Sequence, residues 1–187
     1  VALVYLHFNS NVVNLALFGV SFTLHTVIYA ILTIILVWAS VNVTNCSDGV
    51  DGLSGSLAIT TIVSIITVCL IDGRQQFYFA AAVFVLCILA YLWFNATPSL
   101  VMMGDAGSRA MGLFIAILAL KSGYPFMYIP LAIMLILDGG LGLIKVSLIR
   151  LFKIYIFKNI RLPLHDQVRK VSGWSNTQTV FRFVIIQ

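Results

Sequence analysis

Charge is what this sequence has least of. Asp, Glu, Lys and Arg make up 9% of its 187 residues, against 61% that are hydrophobic, whereas a soluble domain carries about one charged residue in four. So few charges cannot cover a water-facing surface, which excludes a soluble globular domain and puts the chain in a lipid bilayer. Cysteine is also scarce. Cys46, Cys69 and Cys87 show no metal-type spacing, and the last two lie in apolar runs, where a thiol behaves as a small hydrophobe. Neither redox nor metal chemistry is expected of them. The opening VALVYLHFNSN lacks a basic region ahead of an apolar core, so no signal-peptide pattern is visible. Repeats and low-complexity tracts are missing as well.

What is present is a series of long apolar runs. A spanning helix needs about 20 apolar residues, and the runs predict crossings over 26–42, 53–71, 76–94, 108–120 and 125–149. Pro125 and Pro130 fall in the first turns of the fifth, where proline is tolerated. The closing TVFRFVIIQ is apolar but too short to span. At the other end, VALVYLHFNSNVVNLALFGVSF is β-branched and aromatic, with Asn9-Ser10-Asn11 between two apolar halves, the pattern of a short extracytoplasmic β-hairpin. The expected fold is an all-α polytopic membrane protein. It forms a single transmembrane domain over 1–187, with about five full crossings plus a partial last helix.

If each run crosses once, the connections alternate between sides. Segments 42–52, 95–107 and 150–177 share one side, and 72–75 and 121–124 share the other. The first side carries Arg150, Lys153, Lys158, Arg161, Arg169 and Lys170, six of the eleven basic residues. Lys and Arg favour the cytoplasm, so these three polar segments are expected to face inward. A basic cluster can also mark a nucleic-acid patch, but in so apolar a chain the cytoplasmic loop is the reading, and no nucleic-acid partner is expected. Asp48, Asp51, Asp105 and Asp166, four of the six acids, lie on the same side. A site should be sought there.

Three stretches carry its chemistry. In NVTNCSDGVDG, Asp48 and Asp51 stand three apart, on one face if the segment enters a helix, and Gly49, Gly52 and Gly55 let a ligand approach the backbone. One acid there is explained by helix N-capping; two acids, two Asn and three Gly exceed what a cap requires. In WFNATPSLVMMGDAGSRAMG, Asn95 closes one run and Asp105 opens the next, between Gly104 and Gly107. A helix N-terminus suits phosphate, and a carboxylate beside it is either a cap or a ligand for Mg²⁺ bridging to a diphosphate. Arg109 either snorkels to the surface or contacts phosphate. In RLPLHDQVRKVSGW, His165 is flanked by Arg161, Arg169 and Lys170, either a solvated loop histidine or part of an anion-binding arm. Asp138 lies inside a predicted crossing, where an acid must face protein, water or a cation. Lys145 is a candidate partner, and Asp138 reads as structural or supporting.

Polar groups at helix ends, rather than at mid-membrane where transporter sites tend to lie, favour an enzyme that moves a phosphorylated group between a water-soluble donor and a lipid. The alternative from another class is a transporter or an inactive paralogue. NVTNCSDGVDGLSGS resembles the N-x-x-N-x-x-D-G-x-D-G-L block of the polyprenyl-phosphate sugar-phosphate transferases. WFNATPSLVMMGDAGS is similar to their F-N-x-x-P-x-x-x-F-M-G-D-x-G-S block. PLHDQVRKVSGW, followed by Arg182-Phe183, resembles the third block of the phospho-N-acetylmuramoyl-pentapeptide transferase (MraY-type) branch. The blocks occur in order over essentially the whole chain.

The resemblance implies a reaction at the bacterial inner (plasma) membrane, in a multi-pass protein with its site on the cytoplasmic face. UDP-MurNAc-pentapeptide and undecaprenyl phosphate would give lipid I and UMP, with Mg²⁺ as cofactor, as the first membrane step of peptidoglycan synthesis. It implies catalytic roles for Asp48, Asp105 and His165, with Asp105 binding the metal. Asn42 and Asp51 would line the donor site, with Asp51 nearest the uracil, and Asn95 would orient the acceptor or the phosphates. Asn45, Met102 and Gly104 complete the substrate-binding positions. The resemblance also suggests a homodimer. A transferase of UDP-N-acetylglucosamine to polyprenyl phosphate is the alternative within the superfamily. Two departures stand out: the family's triple histidine is His165-Asp166-Gln167 here, and its aromatic before M-G-D is Met102. The family's preceding half, with an Asp-Asp pair, has no counterpart, so the chain is expected to be the second half of a longer protein.

Overall fold

The computed structural model describes residues 25–73, 77–154 and 160–187, together with the backbone of 14–17 and 20–23. Two short strands, β1 (Asn14–Leu17) and β2 (Val20–Thr23), pair antiparallel with Asn14 opposite Thr23 and Leu17 opposite Val20. This pairing falls within the second apolar half of the opening stretch. The Asn9-Ser10-Asn11 turn expected from the sequence lies outside the described residues.

Helices α1 (Thr26–Cys46), α2 (Leu53–Ile71) and α3 (Tyr78–Asn95) contain no Asp, Glu, Lys or Arg. Each satisfies its backbone internally, as lipid requires, and each is long and apolar enough to cross a membrane. Ile71, Phe79 and Trp93 are at least 80% exposed, as side chains facing acyl chains would be. The fourth run is α4 (Gly104–Lys121), and it begins four residues ahead of the expected 108, because the Gly-Asp block is itself the first turn. With Asp105, Arg109 and Lys121 aboard, α4 is the least apolar of the four.

The fifth run is not the single crossing expected. A 3₁₀ turn (Pro125–Met127) leads into α5 (Tyr128–Leu131), then α6 (Ile133–Leu135), a π turn (Ile136–Gly140) and α7 (Leu141–Phe152). The two halves bend by 74° at Ala132. Among the described residues that gives three helices long and apolar enough to span, or four with the bent pair, where the sequence suggests five. The break lies two residues after Pro130. It frees the Leu131 carbonyl and the Met134 N–H, and one side chain takes both. Gln187 donates from Nε2 to Leu131 O at 3.0 Å and accepts at Oε1 from Met134 N at 2.8 Å. Two last helices follow, α8 (Leu164–Lys170) and α9 (Asn176–Ile186). A capping box opens α9: Ser175 Oγ accepts from Gln178 N, and Gln178 Oε1 accepts from Ser175 N, satisfying two free donors.

Small residues bring the backbones together, as in membrane bundles generally. A Cβ placed on Gly112 of α4 would lie 2.5 Å from the Ser40 carbonyl of α1, and Ser40 Oγ donates to Gly112 O at 2.7 Å. A Cβ on Gly139, in the π turn, would lie 2.2 Å from the Val43 carbonyl. Helix α1 is therefore held between α4 and the break. Around this seam Leu53, Leu57, Ile62, Ile115 and Leu135 form a dry core, with Phe84 stacked on Phe114 at 4.1 Å between centroids. The result fixes the helix ends relative to each other, and the polar segments sit on those ends.

Candidate functional site at the loop-bearing end of the bundle

Helix α1 runs to Cys46, so Asn42 and Asn45 belong to its last turns and not to a loop. Asn42 Nδ2 donates back to Trp38 O at 2.7 Å. Segment 47–52 then turns through Gly52, whose φ of +78° opens α2 without any side-chain cap. The capping explanation for Asp48 and Asp51 therefore does not apply. Asp48 Oδ1 instead accepts from Ser54 Oγ at 2.5 Å, and the Gly52 N–H is taken by Asn95 Oδ1, at 2.8 Å, from the end of α3.

Asn95 ties segments 47–52 and 95–104 to each other through both ends of its amide. While Oδ1 holds Gly52, Nδ2 donates to Val101 O at 2.9 Å and to Ser99 Oγ at 3.1 Å. The side chain is nearly buried and acts as a loop clamp. Thr97 Oγ1 reaches Asp51 Oδ2 at 3.5 Å, a second and weaker tie. Beyond Val101 the chain passes Met102, 84% exposed, and Gly104, at φ +66°. Asp105 follows in the first turn of α4, where the free N–H groups and the helix dipole favour negative charge. Arg109 Nη2 donates to Asp105 Oδ2 at 3.0 Å, and its Nε reaches Asn45 Oδ1 at 3.4 Å. Asp105, Arg109 and Asn45 thereby form one polar bridge from α4 to α1, so Arg109 faces the site.

His165 is not a solvated loop residue. It is 4% exposed in the first turn of α8, and it is bound to Asp138. Asp138 Oδ1 accepts from the His165 backbone N–H at 2.8 Å, and Oδ2 lies 2.9 Å from the ring Nδ1. Lys145, the candidate partner two helical turns away, instead donates from Nζ to Ile160 O at 2.9 Å. On its other side the imidazole packs on Gly49: a Cβ there would fall 2.3 Å from Nε2. The neighbouring Asp166 pairs with Lys170 at 2.7 Å, and that hydrogen bond holds the Asp166 carboxyl below the usual range. Arg182 stacks over Trp174 at 4.2 Å.

The three segments expected on one side do converge. Loop 47–52 touches 95–104 through Asn95, and it touches α8 through Gly49 and His165. The charge of Asp105 reaches Asp48: burial pushes the Asp48 carboxyl up, the Ser54 hydroxyl pulls it back, and Asp105 adds to the upward push. Asp51, Asp105 and Met102 stand at the open rim, whereas Asn95, Asp138 and His165 are interior. Thr97 with Asp51 and the contact between Gly49 and His165 were not legible in the sequence, since each pairs residues distant in the chain; Ser54 is only six residues from Asp48, but its role depends on how the turn folds between them. Asp138 carried a signal, an acid in an apolar run, but nothing local pointed to its partner.

The family model for glycosyl transferase family 4 matches residues 1–123, about two thirds of the sequence. The chain belongs to glycosyl transferase family 4. Among curated relatives of this family member, the phospho-N-acetylmuramoyl-pentapeptide-transferase of Treponema pallidum is 40% identical, over 83% of this chain and 47% of the relative. Proteins of the same name from Dictyoglomus thermophilum and Symbiobacterium thermophilum are each 29% identical, over 86% and 91% of this chain and 51% of each relative. The family 4 chain thus spans about half the length of the curated relatives it matches.

Proposed function

We propose that this chain forms the second half of a phospho-N-acetylmuramoyl-pentapeptide transferase of the bacterial inner membrane. The transferase moves phospho-MurNAc-pentapeptide from its UDP donor to undecaprenyl phosphate, yielding lipid I and UMP at the cytoplasmic face. The observation that carries this reading is the gathering of 47–52, 95–105 and 164–170 at one end of an apolar bundle, joined by Asn95 and by His165 against Gly49. Such a rim meets a soluble nucleotide from the water side and a lipid phosphate from the membrane side. The names of the relatives supply the transferred group, a phospho-N-acetylmuramoyl-pentapeptide; the UDP donor and the undecaprenyl phosphate acceptor are what the resemblance of the three blocks implies. On this reading α4 and the bent fifth run, with its 74° bend, would cross the bilayer beside α1, α2 and α3.

The chain's own residues divide the work. Asp51 and the exposed Met102 offer a surface for the nucleotide base, the thioether packing on a ring face. Arg109 is placed to hold a phosphate once released from Asp105. His165 presents its Nε2 beside Gly49 at the donor side, and Asn95 keeps the two acid-bearing segments in register. Positioning of this kind dominates phosphoryl transfer.

The donor set also fits Mg²⁺. Asp105 is exposed and its charge disfavours ionisation of Asp48, a conflict that a cation held at Asp105 would relieve. Among the described residues no group of three or more His, Cys, Asp or Glu is gathered that could hold a metal. This suits an ion that keeps several waters and takes one or two carboxylates plus substrate phosphate. Asp105 would hold it, with Asp48 beside it, and the chemistry it supplies when bound is neutralisation of charge on the diphosphate.

The deciding assay gives the full-length protein undecaprenyl phosphate with UDP-MurNAc-pentapeptide or, separately, UDP-N-acetylglucosamine. Lipid-linked product and UMP are expected from the first donor. Product from the second alone would replace this reading with the N-acetylglucosamine transferase.

A further inference from the structure

Asp138 is fully buried, at 0% exposure, on the π turn of the broken helix. Among the described residues its hydrogen bonds all go to His165: Oδ1 takes the backbone N–H at 2.8 Å, and the ring Nδ1 lies 3.1 Å from Oδ1 and 2.9 Å from Oδ2. A buried carboxylate is costly unless hydrogen-bonded and paired, so this contact is no accident of packing. With both Asp138 oxygens acting as acceptors, one for the backbone N–H and one for the ring, the matching tautomer carries its proton on Nδ1, and Nε2 is the nitrogen turned toward Gly49. The imidazole is clamped between the acid in the broken helix and the backbone of the loop bearing Asp48 and Asp51.

Resting on the transferase reading above, we infer that Asp138 is a positioning residue for the transfer reaction: acting through His165, it fixes the ring plane and keeps the proton on Nδ1, so that Nε2 is presented to the donor beside Gly49. The alternative is purely local. Helix α8 leaves backbone N–H groups free in its first turn, and Asp138 satisfies one of them. The two roles separate at Nδ1. In Asp138→Asn the amide oxygen still accepts from the His165 backbone N–H, but the NH₂ now faces Nδ1 and can only donate. With the NH₂ at the nearer, 2.9 Å position and the oxygen 3.1 Å from Nδ1 already taken by the backbone N–H, the ring is driven to give up its Nδ1 proton and carry it on Nε2.

Full-length protein with ¹⁵N-labelled histidine tests this directly. The given sequence holds three histidines, and His165→Ala identifies the signal of interest. The wild type should show a protonated Nδ1, and Asp138→Asn should move the proton to Nε2. In lipid I synthesis Asp138→Asn should lower kcat on the order of 10²-fold, the usual worth of a positioned acid–base group, with the donor KM changed less than about threefold. On a His165→Ala background it should add less than about twofold, since coupled residues are not additive. An unchanged Nδ1 signal in Asp138→Asn, an unaffected kcat, or losses that multiply in the double variant would overturn the inference. Should Asp138→Asn fail to fold, Gly49→Ala displaces the ring from its other face and must lower kcat similarly; full activity in that variant overturns the inference too. A wild type without transferase activity overturns the proposed function and not the proton assignment, which the nitrogen signals decide by themselves.

Discussion

Asp48 shows how a single carboxyl can be held at a cost to stability. Burial raises its proton affinity above the usual carboxylate range, and Asp105 adds to this against the pull of Ser54. Because the folded-state pKa is the higher one, ionising Asp48 weakens the fold once the pH exceeds the unfolded value, and the full penalty is present above the folded value. Below about pH 4, the ordinary value for Asp, both states are protonated and the penalty vanishes. Asp48→Asn keeps an acceptor for Ser54 and removes the charge. Its melting temperature should therefore exceed that of the wild type at pH 7, with the gap closing as the pH falls toward about 4; a variant less stable at pH 7 would contradict the assignment of cause. Asp105 is the complementary case, exposed and bridged to Arg109 at 3.0 Å. If it holds Mg²⁺, adding the ion should raise the melting temperature of the wild type, by about 2.7 kcal/mol in stability at a hundredfold excess over Kd. Asp105→Asn should lose that response. It should also lower UMP release by about 10³-fold, since removing several kcal/mol of charge stabilisation at about 1.4 kcal/mol per decade has that effect. A variant that keeps both responses would remove Asp105 from the metal site.

At the scale of elements, the site depends on how closely α1 can lie to α4 and to the break. Gly112 and Gly139 set those distances because any side chain would strike the backbone carbonyls of Ser40 and Val43. A backbone atom cannot swing aside as a flexible side chain can. Gly112→Ala should therefore destabilise the folded protein by about 1–3 kcal/mol, the usual cost of overpacking, as measured by denaturant titration in detergent. A neutral effect would mean that the two helices slide freely. The broken fifth run is a second element-scale device. Its freed backbone groups are paired with Gln187, so the bend is a hydrogen-bonded structure, and it brings Asp138 within reach of His165.

For the molecule as a whole, the decisive property is sidedness. Contacts from Asn95 to Gly52 and from His165 to Gly49 require segments 47–52, 95–104 and 164–170 to share one end of the bundle. Cysteines introduced at Thr97 and Ser172, both exposed, should react with a membrane-impermeant maleimide only after the cytoplasmic side is opened. One at Phe77, between α2 and α3, should react in intact cells. Labelling of Thr97→Cys and Ser172→Cys from opposite sides would dismantle the site. The basic residues of 150–170 make the same demand independently, since Lys and Arg collect on the cytoplasmic side.

Much of this was determined by the sequence alone. Helices without a charge can satisfy their backbone only internally, so α1, α2 and α3 were legible from composition and run length, and alternation then put the three polar segments at one end. The block residues Asp48, Asp51 and Asp105 were legible because acids beside glycines at helix ends are rare in so apolar a chain. What the tertiary structure decided were the partners. Asn95 became a clamp because Gly52 and Val101 lie on either side of it. The fifth run broke where one glutamine could take both freed backbone groups, and Asp138 met His165, 27 positions away, in place of Lys145. Local periodicity describes which face a residue occupies. The identity of the group it meets there depends on where the other helices end, and that is a property of the packed bundle.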